Sequence, residues 1–212
     1  SSSEDKNLLE RLNSSNKSLK DFIGGQSFRG VLTGLSEAFF VNTERKDELH
    51  SADFSAKDIL LPFLQGRNLN KWQLPSIENY LIGTFPSLKL DIQNYPSIKN
   101  HLLSFGQKRL EQCGEKGSRK KTNNKWFETQ DAIGYWKEFS KPKIMYQAFQ
   151  VKPCFIYDEQ GLYCNNSMWF IPTDNKTLIA LLNSKMGWWL ISKYCTQIQN
   201  GYQLIWNYFG LI

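Results

Sequence analysis

Lys143-Ile144-Met145-Tyr146-Gln147-Ala148-Phe149 is the stretch that settles the fold class. Ile144, Tyr146 and Ala148 fall on one side of an extended chain, and Met145, Gln147 and Phe149 on the other. That period of two predicts a β-strand. Downstream, Cys154 to Tyr157 and Leu162 to Cys164 flank Asp158-Glu159-Gln160-Gly161, and predict a hairpin. Met168 to Ile171 predicts another strand, ended by Pro172. Asp174 then caps a long helix predicted from about Lys176 to Tyr194, with Leu178, Leu182 and Trp189 on its inner face. Gly187 inside that helix costs about 1 kcal/mol against Ala, so close packing is expected there.

The upstream half is mixed. Residues 4–22 read as a charged amphipathic helix with Leu8, Leu9 and Leu12 on one face, interrupted by Asn13-Ser14-Ser15-Asn16. Arg29 to Leu32 and Ala38 to Val41 predict short strands around Thr33-Gly34, and polar Asn42 to His50 predicts an exposed loop. Leu60 to Leu64, interrupted by Pro62, and Tyr80 to Ile82 are further strand candidates. Pro96 opens a helix carrying Ile98, Leu102 and Phe105, with Gly114 as its expected stop. The fold class is α+β: mixed, mostly antiparallel short strands with several helices.

At 212 residues, 41% hydrophobic and 14% aromatic, the chain can bury a real core and is not disordered along most of its length. Cys113, Cys154, Cys164 and Cys195 are scattered, with no C-x-x-C pair, so they read as small core thiols of a reducing compartment. No apolar run approaches the ~18 residues of a membrane span, and no signal peptide is expected. A cytoplasmic location without membrane contact is the expectation. The start at Ser1-Ser2-Ser3 without Met, and the apolar stop at Trp206 to Ile212, point to a piece of a longer chain.

Charge is concentrated. Lys116, Arg119, Lys120, Lys121 and Lys125 fall within ten residues that hold no acid, and carry five of the chain's six excess positive charges. A cationic loop running into Trp126 and Phe127 suits a polyanion with a groove, nucleic acid first.

Catalytic motifs are missing from the sequence. No glycine-rich loop has phosphate-cradle spacing, and Phe28-Arg29-Gly30-Val31-Leu32 lacks the second glycine of an AdoMet loop. No Asn-Pro-Pro-Tyr or Asp-Pro-Pro-Tyr holds a flipped adenine. Two histidines make a Ser/His/Asp engine improbable, and His101 reads as a helix-face residue. Asp21 with Glu44-x-Lys46 has nuclease-like residue types, but a solvated charged loop is the favoured reading. The chain reads as a binder.

Six tracts, in order, resemble one family. They are Thr33-Gly34-Leu35-Ser36-Glu37-Ala38-Phe39, Leu61-Pro62-Phe63-Leu64-Gln65-Gly66-Arg67-Asn68-Leu69 and Tyr95-Pro96-Ser97-Ile98-Lys99-Asn100-His101-Leu102. Lys125-Trp126-Phe127 with Tyr135-Trp136, Pro142-Lys143-Ile144-Met145-Tyr146 and Leu181-Leu182-Asn183-Ser184-Lys185 follow. Over about residues 20–212 the chain resembles the TaqI-like C-terminal specificity domain of bacterial restriction-modification adenine-specific DNA methyltransferases, of type IIG-like architecture.

The resemblance implies a target recognition domain at 23–212, preceded at 1–22 by a helical linker from an upstream methyltransferase domain in cis. It implies double-stranded DNA as partner and no small-molecule ligand. No cofactor is expected in this chain; AdoMet is expected for the parent's methyltransferase, and Mg where the parent also cleaves. Lys116, Arg119, Lys120, Lys121 and Lys125 would neutralise phosphates without reading sequence. Base reading needs forked or amide side chains. Candidates by residue type are Arg67, Asn68 and Lys71 on one loop, Gln147 and Gln150 on the strand, and Gln197, Gln199 and Asn200 near the last turn. Two alternatives stand beside this reading. One is half of a type I restriction specificity subunit, with the first helix joining a coiled coil. The other is a carbohydrate-binding module stacking sugars on Trp72, Trp126, Trp136 and Trp188.

Overall fold

The computed structural model describes residues 3–66, 69–73 and 76–212. Elements in the first half are α1 (Ser3–Ser15), α2 (Leu19–Ile23), β1 (Phe28–Arg29), α3 (Ser36–Phe39), β2 (Phe40–Asn42) and α4 (Thr43–Ala52), then β3 (Leu60–Leu64), β4 (Asn79–Ile82), α5 (Pro96–Leu103) and α6 (Gln107–Leu110). In the second half come β5 (Lys143–Gln147), β6 (Phe149–Gln150), β7 (Phe155–Asp158), β8 (Tyr163–Cys164) and β9 (Met168–Pro172). Last are α7 (Thr177–Leu182), α8 (Lys185–Tyr194), β10 (Thr196–Ile198), β11 (Gly201–Gln203) and α9 (Trp206–Phe209).

β5 is an interior strand of the antiparallel sheet β1-β9-β5-β7. Its alternation feeds two cores, one per face. Ile144 and Tyr146, with Phe155 on β7 and Ile171 on β9, pack against Leu178, Leu182, Ile191 and Phe209 of the C-terminal helices. Met145, with Ile156 and Phe170, joins the larger core built with Phe39, Phe63, Leu81, Ile98 and Phe139. A sheet covered on both faces needs apolar residues at odd and even positions alike, and this sequence has them. Tyr146 shows how tight the smaller core is: its ring lies 5.5 Å from Phe155 and 5.1 Å from Phe209, and its hydroxyl bonds Ser27 Oγ at 2.7 Å. Burying one such side chain contributes roughly 1.5–3 kcal/mol.

A second sheet, β2-β4-β3-β8, is antiparallel except where β3 meets β8 in parallel. β10, β11 and β6 form a third sheet. The class expected from sequence, mixed α+β with mostly antiparallel strands, is the class observed.

Several local expectations are corrected. α5 ends at Leu103, well short of the expected stop at Gly114, and Ala38-Phe39 belongs to α3, so the strand expected over Ala38 to Val41 begins at Phe40. Asn42 to His50 is not a loop: Asn42 Oδ1 accepts from Arg45 N at 2.8 Å and caps α4, a polar helix with Leu49 as its buried residue. The hairpin predicted over 154–164 is split, because β7 pairs with β5 while β8 pairs with β3 in the other sheet. Asp158 turns the chain between them. Its carboxylate is fully buried, ion-paired to buried Lys143, and accepts from Gln160 N and Leu162 N, both at 2.9 Å. The helix predicted from Lys176 to Tyr194 breaks at Asn183. Ser184 Oγ then caps α8 by accepting from Gly187 N at 2.9 Å, and a Cβ on Gly187 would meet the Leu181 and Leu182 carbonyls. Of the four thiols, Cys164 and Cys195 are buried, Cys154 is half-buried and Cys113 is exposed.

α1 and α2 are separate helices. Leu19 N donates to Ile212 O at 2.7 Å, which ties α2 to the residues that follow α9. α1 buries no residue and is held by Lys193 Nζ on Asp5 at 2.6 Å and Tyr194 Oη on Asn13 at 2.8 Å. Among the described residues no helix is long and apolar enough to cross a membrane.

Candidate nucleic-acid interface

The cationic window lies in a segment without helix or strand, yet it is a hydrogen-bonded platform. Arg119 is its strut. Only 3% of its surface is exposed, and its guanidinium donates to Leu110 O (2.8 Å), Thr33 O (2.7 Å), Glu128 O (2.8 Å) and Trp126 O (2.6 Å). The group lies 5.2 Å from the Phe39 ring centroid. Burial draws its pKa down to about 10, against a smaller opposing effect of Glu128, so it stays charged at neutral pH. Arg119 is therefore not placed to touch phosphate; its planar fork organises four carbonyls instead. Gln112 closes the loop from below, donating to Lys125 O at 3.2 Å and Glu128 O at 3.0 Å and accepting from Thr122 Oγ1 at 2.8 Å. Asn124 Nδ2 fastens the far side to Thr129 O and Gln130 O at 3.2 and 2.9 Å.

What this platform leaves in solvent is Lys116, Lys120, Lys121 and Lys125. Among the described residues none of the four is in a salt bridge. The seven salt bridges found use Arg45, Lys46, Arg109, Lys141, Lys143, Lys176 and Lys193. Exposed lysines close in sequence and outside any salt bridge among the described residues attract an anion. Acids do lie nearby: exposed Glu115 precedes Lys116, and the Glu128 carboxylate accepts from Lys125 N at 2.7 Å. Burial raises the pKa of Asp131, while Arg29 and Lys120 act to lower it.

The base-reading candidates fare differently. Arg67 and Asn68 lie outside the described residues. Lys71 donates to Asn183 O at 2.6 Å and sits 5.5 Å from the ring centroid of exposed Trp72, whose φ of 71° puts a bulky residue in the left-handed region. Gln147 is half-buried at the end of β5, beside Gly66. Gln150 is buried, and its Oε1 accepts from Cys154 N at 2.9 Å, which makes it a loop-closing residue and not a reader. Gln197, Gln199 and Asn200 are exposed on the β10–β11 hairpin, with no side-chain hydrogen bond among the described residues.

Four of these eight, Gln150, Gln197, Gln199 and Asn200, share the third sheet, and Gln147 ends the strand leading into it. β5 continues past Ala148 into β6, which pairs with β11, and Leu204 N donates to Ala148 O at 2.7 Å. Contacts connect this sheet to the cationic platform: Ala148 N bonds Ser167 O, Asn165 bridges Val31, and Thr33 accepts from Arg119. Sequence reasoning missed Lys152, an exposed cation in the 150–154 loop; its position two residues past Gln150 was the available signal. The tryptophans of the glycan alternative form no common platform. Trp72 alone of the four is exposed, while Trp126 packs edge-on to Phe127 and Trp188 edge-on to Tyr202. In the nuclease-like triplet, Lys46 is ion-paired to Asp47 and lies over the Tyr80 ring.

The fold has a counterpart among solved structures. The chain is similar to the type IIG restriction endonuclease BpuSI, with a TM-score of 0.53 and 14% identity over 98% of this chain and 25% of that one. It also matches the type IIL restriction-modification enzyme MmeI, solved in complex with DNA, with a TM-score of 0.49 and 11% identity over 84% of this chain and 23% of that one. At such identities the likeness speaks for the fold alone. The chain spans about a quarter of the length of each. No curated protein matches the sequence. A family model described as the TaqI-like C-terminal specificity domain matches residues 61–209, more than half of the chain. The chain belongs to that family.

Proposed function

We propose that this chain selects a short double-stranded DNA sequence for an adenine-specific methyltransferase in the same polypeptide, in a type IIG-like arrangement. Residues 23–212 do the recognising and 1–22 serve as the helical link; an α1 without a single buried residue supports the second half of that statement. AdoMet belongs to the methyltransferase part, and Mg to a nuclease part where one is fused. A cytoplasmic location follows from DNA as partner.

One observation carries the reading: Lys116, Lys120, Lys121 and Lys125 stand in solvent, without salt bridges, on a loop that buried Arg119 holds in shape. Such an array neutralises phosphates and sets register, leaving base reading to uncharged amides elsewhere. The experiment is duplex binding by fluorescence anisotropy across salt. Four phosphate contacts give a slope of log K against log salt of about −3 to −4. Lys120→Glu with Lys121→Glu weakens binding to every duplex alike. A flat salt response sinks the reading.

A further inference from the structure

The β10–β11 hairpin stands out by what it lacks. From Cys195 to Ile212 there is no Asp, Glu, Lys, Arg or His, and from Ile144 to Tyr157 the one charge is Lys152. All five residues from Thr196 to Asn200 are exposed. β10 is an edge strand, bonded to β11 and to no other strand among the described residues, and it carries neither proline nor charge. Edges are normally blunted by such residues. This one is bare while its root is well built: β11 pairs with β6, Tyr202 packs edge-on to Trp188 at 5.3 Å, and Phe149 lies against Gly201. A rigid root with a bare, uncharged tip is a shape made to be covered.

Charge beside the root says by what. Lys71 and Lys152 both act on the Cys154 thiol, which burial raises and the two cations lower. Cys154 N is in turn bonded to Gln150, the residue opposite Tyr202 in the sheet. A neutral ribbon flanked by cations fits a ligand with anionic rails and a hydrogen-bonding floor. The major groove of B-DNA, about 12 Å wide, admits a two-stranded ribbon.

We infer that the β10–β11 ribbon enters the major groove and that Gln199 and Asn200, at its two-residue tip, read adenine, with Ile198 against the thymine methyl. The inference rests on the DNA-binding reading above and deepens it. Gln and Asn amides match adenine N6 and N7, whereas guanine calls for the Arg or Lys that the ribbon does not contain. Gln197 lies opposite Tyr202, itself opposite Gln150, two residues before the tip, and is not assigned to its readout. The position read by the tip is therefore an A·T pair.

The test is selection from a randomised duplex pool at low salt by the 212-residue chain, by Asn200→Ala and by Gln199→Gly. Glycine removes the amide and suits the φ of 50° at that position. Circular dichroism melting verifies that each variant folds. The expected result is a motif for the unaltered chain in which each variant loosens an A·T position by roughly tenfold or more while other positions hold. A motif that both variants keep overturns the ribbon assignment and leaves DNA binding intact. A loosened G·C position overturns the adenine assignment. Selection of no motif at all overturns the DNA reading itself. Sedimentation showing a dimer that Ile198→Lys dissolves gives the edge to a second copy and also overturns the inference.

Discussion

Arg119 Nη1 donates to the carbonyl of Thr33 at 2.7 Å across 86 residues of sequence, and this bond joins the cationic loop to the start of the second sheet's region. The most obvious cation of a basic cluster is thus spent inside the protein. Arg119→Ala removes four charge-assisted hydrogen bonds and strands their carbonyls. A loss of about 3 kcal/mol or more in urea unfolding is expected, and Arg119→Lys recovers part of it. Arg119→Ala folding as stably as the parent would refute the strut.

Lys143 and Asp158 form the other buried ionic device, both side chains fully inaccessible. Asp158→Asn leaves a buried ammonium uncompensated, and about 3–5 kcal/mol of destabilisation follows. Because Asp158 also receives Gln160 N and Leu162 N, it fixes where the chain leaves one sheet for the other. Exchange of the Leu162 amide with deuterium should accelerate in the variant. Unchanged protection there would remove Asp158 from this role.

His101 gives the chain an acid-side weakness. Arg45 can only donate, so Nδ1 accepts its Nε–H at 3.2 Å and Nε2–H donates to Ala38 O at 3.0 Å. Burial, aided by nearby Arg45 and opposed by the Ala38 bond, lowers the imidazole pKa below its ordinary 6.5. The unfolded chain then binds the proton first. Stability is full above pH 6.5 and falls as pH drops through 6.5 toward the folded-state value. His101→Gln keeps a donor for Ala38 and flattens that part of the profile, read as denaturant midpoint against pH. An unaltered profile would place the acid sensitivity elsewhere.

Gly187 sits where a Cβ would press on the Leu181 and Leu182 carbonyls. Gly187→Ala should cost about 1–3 kcal/mol despite alanine's better helix propensity. A stabilised variant would show that the α7–α8 corner can open.

What sequence could and could not reveal follows from which residues act locally. β5 was legible because its period of two reflects two covered faces, and α5 because Pro96 sets the first turn of its own helix. α4 was not legible, since its single buried residue, Leu49, gives a polar helix no apolar stripe. The parting of β7 from β8 depends on a parallel pairing with β3, about a hundred residues upstream, which no local pattern encodes. At the interface, the lysines could be located as a charge run. Arg119 could not be told from them, because the carbonyls that claim it come from Thr33, Leu110, Trp126 and Glu128. Gln150 and Gln199 are likewise alike in sequence; the fold closes a loop with one and leaves the other at a ribbon tip.

In the proposed role, four loop lysines neutralise phosphates. Duplex affinity of the 212-residue chain, measured between about 50 and 200 mM salt, tests it most directly. The expected log–log slope is about −3 to −4 and becomes shallower by about 2 in the Lys120→Glu, Lys121→Glu double variant, for any duplex sequence. A slope that those two substitutions leave unchanged would contradict it.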